Sequence, residues 1–126
     1  MLHPTRRGVL GSDNANSLVL AVEHAGRRIL LTGDLETPGL DDVIAESALD
    51  CDVILAPHHG SSRSNPPGFA AWSTPDWVVI SGSHSDKQGE AEAAYRASGA
   101  QVLDTAEVGA VRVTIADDEL TVTTRR

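Results

Sequence analysis

Two stretches decide the fold, Arg28-Ile29-Leu30-Leu31-Thr32-Gly33-Asp34 and Asp52-Val53-Ile54-Leu55-Ala56-Pro57-His58-His59-Gly60-Ser61-Ser62. Each is an apolar run, typical of a strand buried in a parallel sheet, that ends in residues able to bind a metal. If the two strands are neighbours, Asp34 and the two histidines meet at one edge of the sheet. Oxygen and nitrogen ligands of this kind suit a divalent metal, with zinc favoured and manganese as the alternative. One Asp and two His are too few for a closed site, so the pattern indicates part of a metal centre.

The rest of the chain predicts an α/β layered domain. Leu18, Leu20 and Val22 alternate as in a half-buried strand, and the turn after them predicts a hairpin with the Arg28 run. Apolar spacing then predicts helices and strands in the order ββαβαβαβββ, a pattern typical of layered α/β domains. The predicted helices cover 40–49, 69–72 and 90–98, and the predicted strands cover 17–23, 28–32, 52–56, 77–81, 101–104, 111–115 and 120–124. Residues 1–16 form an irregular lead-in.

Composition limits the class of protein. The 126 residues suffice for one domain or part of one, and the net charge of −8 argues against a free-standing nucleic-acid binder. The single cysteine, Cys51, excludes an intrachain disulfide, and we expect it to be buried ahead of a strand. No apolar run approaches the roughly 18 to 20 residues that cross a bilayer, and no signal peptide is recognisable. We therefore expect the chain to be soluble as written.

The polar loops hold the remaining site candidates. Adjacent side chains on an extended backbone point in opposite directions, so one of His58 and His59 is expected to bind metal while the other contacts a neighbour or substrate. Weaker candidates lie around them. Ser61 and Ser62 would satisfy loop backbone groups or steady the imidazoles, and Arg63 would pair with a phosphate or remain solvated. His84 would reach the same edge or remain solvated, and Asn16 would order an adjacent loop or only end a strand. His3 and His24 are expected at the surface.

A series of motifs resembles a known family. It comprises Asn14-Ala15-Asn16-Ser17-Leu18-Val19-Leu20, Leu30-Leu31-Thr32-Gly33-Asp34, Ala56-Pro57-His58-His59-Gly60-Ser61, Val79-Ile80-Ser81, and Thr105 with Gly109-Ala110-Val111. In this order the motifs resemble the C-terminal half of the metallo-β-lactamase-like domain of ComEC/Rec2 competence proteins. The resemblance covers about residues 2–115.

The resemblance implies an αβ/βα sandwich of two similar halves with the metal site between them, and residues 1–126 would be a single, partial domain of this kind. Asp34 would be a metal ligand, and His58 or His59 would be the last histidine ligand, so these three would be the catalytic residues. The implied activity is metal-dependent phosphodiester hydrolysis, with DNA as substrate. The parent family is bacterial and associated with the inner membrane, where it forms a channel for DNA uptake.

The sequence departs from the family at two places. It lacks a His-x-His-x-Asp-His cluster, and it has Asp86-Lys87-Gln88-Gly89 where the family commonly has Gly-His-Pro. The first departure implies that the N-terminal half of the domain is missing, so we expect weak zinc binding, little turnover and a truncated domain. The expected partners are then the missing half-domain, a membrane channel subunit, or a second copy in a homodimer. The alternative function is a non-catalytic remnant or interaction module that pairs with another half-domain.

Overall fold

A computed structural model describes residues 1–82 and 89–126. The strands among these residues are β1 (Leu20–His24), β2 (Arg27–Leu31), β3 (Val53–Leu55), β4 (Trp77–Ile80), β5 (Gln101–Asp104), β6 (Ala110–Ala116) and β7 (Glu119–Arg125). The α-helices are α1 (Gly39–Ala45), α2 (Pro67–Ser73), α3 (Gly89–Ala97) and α4 (Thr105–Val108). Two short 3₁₀ turns cover Asn14–Asn16 and Pro57–Gly60.

A five-stranded sheet in the order β1-β2-β3-β4-β5 forms the centre of the fold. The β1–β2 pair is the antiparallel hairpin expected from the sequence, and β2 to β5 run parallel. The α/β class is therefore confirmed. Each parallel strand is added beside the preceding one, so every crossover moves across the sheet in the same direction. Because such crossovers are right-handed, their helices all lie on one face of the sheet. The strands β6 and β7 form a separate antiparallel hairpin.

The core lies between this face and the helices α1, α2 and α3. The registers align Leu30, Ile54 and Val78 in one row across β2, β3 and β4, and all three are fully buried. Helix side chains close over the row, among them Leu40 and Val43 of α1, Phe69 and Trp72 of α2, and Ala91 and Tyr95 of α3. The Phe69 and Trp72 rings stack with centroids 5.9 Å apart. With few aromatic residues available, aliphatic side chains make up most of this core.

The opposite face of the sheet is apolar but partly open. Leu18, Val22 and Leu31 expose 51%, 46% and 38% of their surface. The sequence correctly indicated an alternating strand here, but the expectation that its leucine face is buried was wrong. Val19 and Ala21 contact the core instead, because the helices pack on their side of the sheet. We call Leu18, Val22 and Leu31 the open patch.

Three local features differ from the sequence-based expectations. Helix α1 ends at Ala45, short of residue 49. The short helix α4 was not expected; it forms because the Asp104 carboxylate accepts a hydrogen bond from the Ala106 backbone N–H at 2.9 Å. His3 is 1% exposed rather than at the surface, since its Nε2 donates to the Ala15 carbonyl at 2.7 Å.

Residues 1–16 are largely irregular as expected, although His3 pairs with Val19 in an isolated β-bridge. Within the described ranges, no helix is long and apolar enough to span a membrane.

Candidate metal-binding edge

The loop after β2 presents Asp34 at the carboxyl end of the parallel sheet. Thr32 fixes this end by donating its hydroxyl to the Leu55 carbonyl of β3 at 2.6 Å. Gly33 follows with φ of 57°, a left-handed conformation that glycine adopts without strain. Its carbonyl accepts a hydrogen bond from the His58 backbone N–H at 2.9 Å. The chain after β2 is thereby joined directly to the chain after β3.

The two histidines lie in a tight turn whose backbone is left-handed at both residues. His58 has φ of 50° and His59 has φ of 54°. As expected, the two side chains face different partners. Alternation along an extended backbone, the cause expected from the sequence, was wrong, because the backbone is not extended here. The His58 Nδ1 atom lies 3.6 Å from the Glu36 Oε2 atom. The His59 Nε2 atom lies 3.3 Å from the Asp34 Oδ1 atom.

The imidazole of His59 is oriented by a backbone carbonyl. Its Nδ1 atom lies 2.6 Å from the Ser81 carbonyl oxygen, which only accepts hydrogen bonds, so Nδ1 carries the proton. In the neutral ring, Nε2 then presents its lone pair toward the Asp34 carboxylate. Two acceptors at this distance repel each other unless a proton or a cation lies between them. The Asp34–His59 pair is therefore arranged to accept positive charge.

These contacts run across the carboxyl ends of all four parallel strands. Asp34 follows β2, His59 follows β3, and Ser81 follows β4. The next residue, Gly82, donates its backbone N–H to the Thr105 hydroxyl beyond β5 at 3.2 Å. The edge is therefore a continuous row of polar groups, at the place where ligands bind in open α/β sheets.

Glu36 is a site residue that the sequence analysis missed. It lies in the same loop as Asp34, and its carboxylate accepts a hydrogen bond from the Ser12 hydroxyl while its other oxygen faces His58. An acidic residue two positions after Asp34 is the signal that could have identified it. The Ser12 contact joins distant parts of the chain and is not visible in local spacing.

The weaker candidates lie around the edge in different roles. Asn16 is not in contact with the histidines; its side chain binds the Val9 backbone through hydrogen bonds of 2.8 and 3.0 Å. Ser61 contributes its backbone, whose N–H donates to the His58 carbonyl. Ser62 is half-buried and Arg63 is exposed, and His84 lies outside the described residues.

A buried pair behind the turn was also missed. Asn65, 2% exposed, donates to the carbonyls of Pro57 and Ser61, and Tyr95 of α3 donates its hydroxyl to the Asn65 Oδ1 atom. Burial raises the pKa of Tyr95 far above its usual value, so the hydroxyl remains a donor.

The donors at the edge fit two ligands of one metal ion. Two ligands bound tetrahedrally to zinc at about 2.0–2.1 Å each lie roughly 3.3 Å apart, which matches the separation of Asp34 Oδ1 and His59 Nε2. Within residues 1–82 and 89–126, no group of three or more His, Cys, Asp and Glu side chains is arranged to hold a metal. The described part of the edge thus offers two donors, fewer than a zinc site requires.

Three curated proteins are similar in sequence to this chain. The chain matches no protein-family model. It is 32% identical over 87 residues to Competence protein ComA of Neisseria gonorrhoeae, covering 68% of the chain and 12% of that protein. It is 33% identical over 73 residues to Recombination protein 2 of Haemophilus influenzae, covering 58% and 9%. ComE operon protein 3 of Bacillus subtilis is 35% identical over 77 residues, covering 60% and 10%.

The chain spans about a tenth of the length of these curated relatives. Over 58% to 68% of its own length, it is related in sequence to the ComEC/Rec2 group of competence proteins.

Proposed function

We propose that this chain supplies one side of a metal-dependent phosphodiester hydrolase site, as the C-terminal half of a metallo-β-lactamase-like domain. The parent would be a ComEC/Rec2-type protein of DNA uptake, and the substrate would be DNA or another phosphodiester. The relationship to the competence proteins supports the parent. The sheet supports the half-domain, because its helices lie on one face and the open patch lies on the other.

The Asp34–His59 pair is the observation that carries the proposal. Its 3.3 Å separation and the Ser81 contact leave a carboxylate oxygen and an imidazole nitrogen facing one another. A divalent metal, zinc in the first place and manganese as the alternative, would supply an activated water and stabilise negative charge on a phosphate. Asp34 and His59 would hold it, and the rest of the ligands would come from outside this chain.

The other residues at the edge have supporting roles in this proposal. The Glu36 Oε2 atom lies 3.6 Å from the His58 Nδ1 atom, and the His58 imidazole would contact a substrate phosphate or its leaving group. Arg63 is exposed in the same loop and would offset part of the repulsion between DNA and a chain of net charge −8.

Zinc titration of the Asp34→Asn variant tests the ligand assignment. We expect the wild-type chain to bind zinc weakly in calorimetry, because few ligands are present. The variant should bind zinc at least about tenfold more weakly, because removing a metal ligand should cost at least as much affinity as removing a residue that supports one. Asp41→Asn is the matched control, because Asp41 is exposed on α1. Equal zinc affinity of wild type and both variants would contradict the assignment of Asp34 as a ligand. One or two tightly bound metals in the isolated wild-type chain would contradict the proposal that the remaining ligands come from outside this chain.

The activity itself needs the complete domain. When the chain is combined with the N-terminal half of the corresponding domain of a related competence protein, zinc-dependent cleavage of bis(p-nitrophenyl) phosphate should appear and should be lost in Asp34→Asn. Full activity of that variant would exclude a catalytic role for Asp34.

A second candidate function rests on the open patch. We infer from its exposed apolar surface that this face can pair with an apolar sheet face of another half-domain, including a second copy of this chain. In that case the chain would be a non-catalytic interaction module. Sedimentation of the isolated chain in the absence of metal tests this pairing. A chain that is monomeric at every concentration would count against both the interaction module and the half-domain.

A further inference from the structure

The turn that presents the two histidines is tied to helix α3 by two buried polar side chains. Asn65 is 2% exposed and Tyr95 is fully buried. The Asn65 Nδ2 group donates to the Pro57 carbonyl at 2.9 Å and to the Ser61 carbonyl at 2.7 Å. The Tyr95 hydroxyl donates to the Oδ1 atom of the same amide. The Asn65 amide therefore makes three hydrogen bonds, of which those to Pro57 and Tyr95 are buried.

The two carbonyls stand on either side of His58 and His59. Between them the backbone is left-handed at both histidines, a conformation that persists in non-glycine residues only when the surroundings enforce it. Asn65 holds both ends of that segment, so its spacing cannot relax without breaking a buried hydrogen bond. The Asn65 amide thus enforces the backbone that directs His59 toward Asp34.

We propose that Asn65 and Tyr95 are positioning residues that keep the His58–His59 turn in its ligand-presenting form. The two backbone carbonyls set the orientation of the Asn65 amide, and the Tyr95 hydroxyl holds that amide in place by donating to its Oδ1 atom. If the amide were reversed, its Oδ1 atom would face the two carbonyls, and its Nδ2 group would face the Tyr95 hydroxyl. That orientation would set acceptor against acceptor. Phenylalanine in place of Tyr95 would leave the buried Oδ1 atom without its donor, which weakens the hold of the amide on the turn.

Helix α3 is thereby coupled to the metal-binding edge. Tyr95 lies on the helix after β4, whereas Asp34 and His59 follow β2 and β3. A displacement of α3 would reach the histidines through the Asn65 amide. The effect on metal affinity rests on the proposed function, while the effect on the turn does not.

The test compares Tyr95→Phe with Ser73→Ala in the full chain. Ser73 is the matched control, because it is a fully buried hydroxyl that donates to the Phe69 carbonyl at 2.8 Å within α2. Long-range ¹⁵N–¹H spectra of the histidine rings and amide spectra of residues 57–61 report the turn. We expect Tyr95→Phe to shift the His58 and His59 signals and to weaken zinc binding about 10- to 100-fold, as for other residues that orient a ligand. Ser73→Ala should leave both unchanged.

The outcomes separate this inference from the proposed function. If the wild-type chain binds no zinc but Tyr95→Phe still shifts the histidine signals, the proposal of a metal site is refuted and the positioning role of Tyr95 stands. If Tyr95→Phe and Ser73→Ala give the same histidine spectra as wild type, the positioning role is overturned.

A measurement on the wild-type chain covers the case in which Tyr95→Phe does not fold. The Asn65 side-chain amide protons and the Tyr95 hydroxyl proton should exchange slowly with solvent. Rapid exchange of these protons in the folded chain would also overturn the inference.

Discussion

Gly39→Ala should destabilise the fold, although helix propensity alone predicts the opposite. Gly39 is the first residue of α1, where alanine is ordinarily favoured over glycine by up to about 1 kcal/mol. A Cβ atom at this position would stand 1.8 Å from the Ala15 carbonyl oxygen and 2.8 Å from the His3 Nε2 atom. Both neighbours are buried parts of the lead-in, so the clash must be relieved by moving backbone.

The size of the loss follows from two effects. The Ala15 carbonyl must retreat beyond about 3.0 Å, which is the closest approach that Cβ atoms tolerate. Overpacking of this kind costs about 1–3 kcal/mol. The movement also breaks the hydrogen bond from His3 to Ala15, and a buried unsatisfied donor costs about 1–3 kcal/mol. After the propensity gain is subtracted, we expect a net loss of about 3 kcal/mol in the free energy of unfolding.

Urea unfolding monitored by circular dichroism measures this loss. Gly68→Ala is the matched control, because Gly68 lies in the first turn of α2 and a Cβ there meets no atom within 4 Å. That variant should be more stable than wild type by up to about 1 kcal/mol. If Gly39→Ala were as stable as wild type, or shared the gain of Gly68→Ala, the packing of the lead-in on α1 would be refuted.

Two further predictions concern the core thiol and the open patch. Burial raises the pKa of Cys51 from 9.0 to about 11, so the unfolded chain loses this proton before the folded chain does, and stability should fall as pH rises above about 9. The fall should be shallower in Cys51→Ala; an identical pH dependence of the two proteins would contradict it. For the open patch, the wild-type chain should self-associate at high concentration in sedimentation equilibrium. Leu31→Lys should weaken this self-association, whereas Ala93→Lys should not, because Ala93 lies at an exposed position of α3. A wild-type chain that is monomeric at every concentration would exclude self-pairing through the patch.

The sequence predicts the architecture well where apolar runs are long and clearly bounded. The run that contains Ile54 is apolar throughout, and a strand buried on both faces needs no further information. The face of β1 could not be predicted in the same way, because Leu18 and Val22 have the correct period for burial. Which face is buried depends on the side taken by the helices, a property of the whole sheet. The burial of His3 likewise depends on Ala15, twelve positions along the chain.

The sequence predicts that the candidate residues lie at one edge of the sheet, but it does not predict which of them contact each other. Asp34 and the histidines each follow an apolar strand, and parallel strands bring such positions together. The pairing of His59 with Asp34 depends instead on left-handed backbone in the turn. The sequence does not signal this backbone, because non-glycine residues, histidine included, adopt it in a minority of cases. Ser81 contributes only a carbonyl, so its identity gave no indication of its contact. Asn65 acts from behind the turn, where loop sequence carries no periodic pattern.

The left-handed backbone at His58 and His59 separates what the fold requires from what the chemistry requires. Glycine or asparagine would adopt these dihedral angles more readily, so a chain shaped by folding alone would gain stability by replacing both histidines. A related chain with Gly or Asn at these two positions would therefore keep the turn while losing the imidazoles. Under the proposed function, such a replacement would abolish metal binding and leave the fold of the domain unchanged.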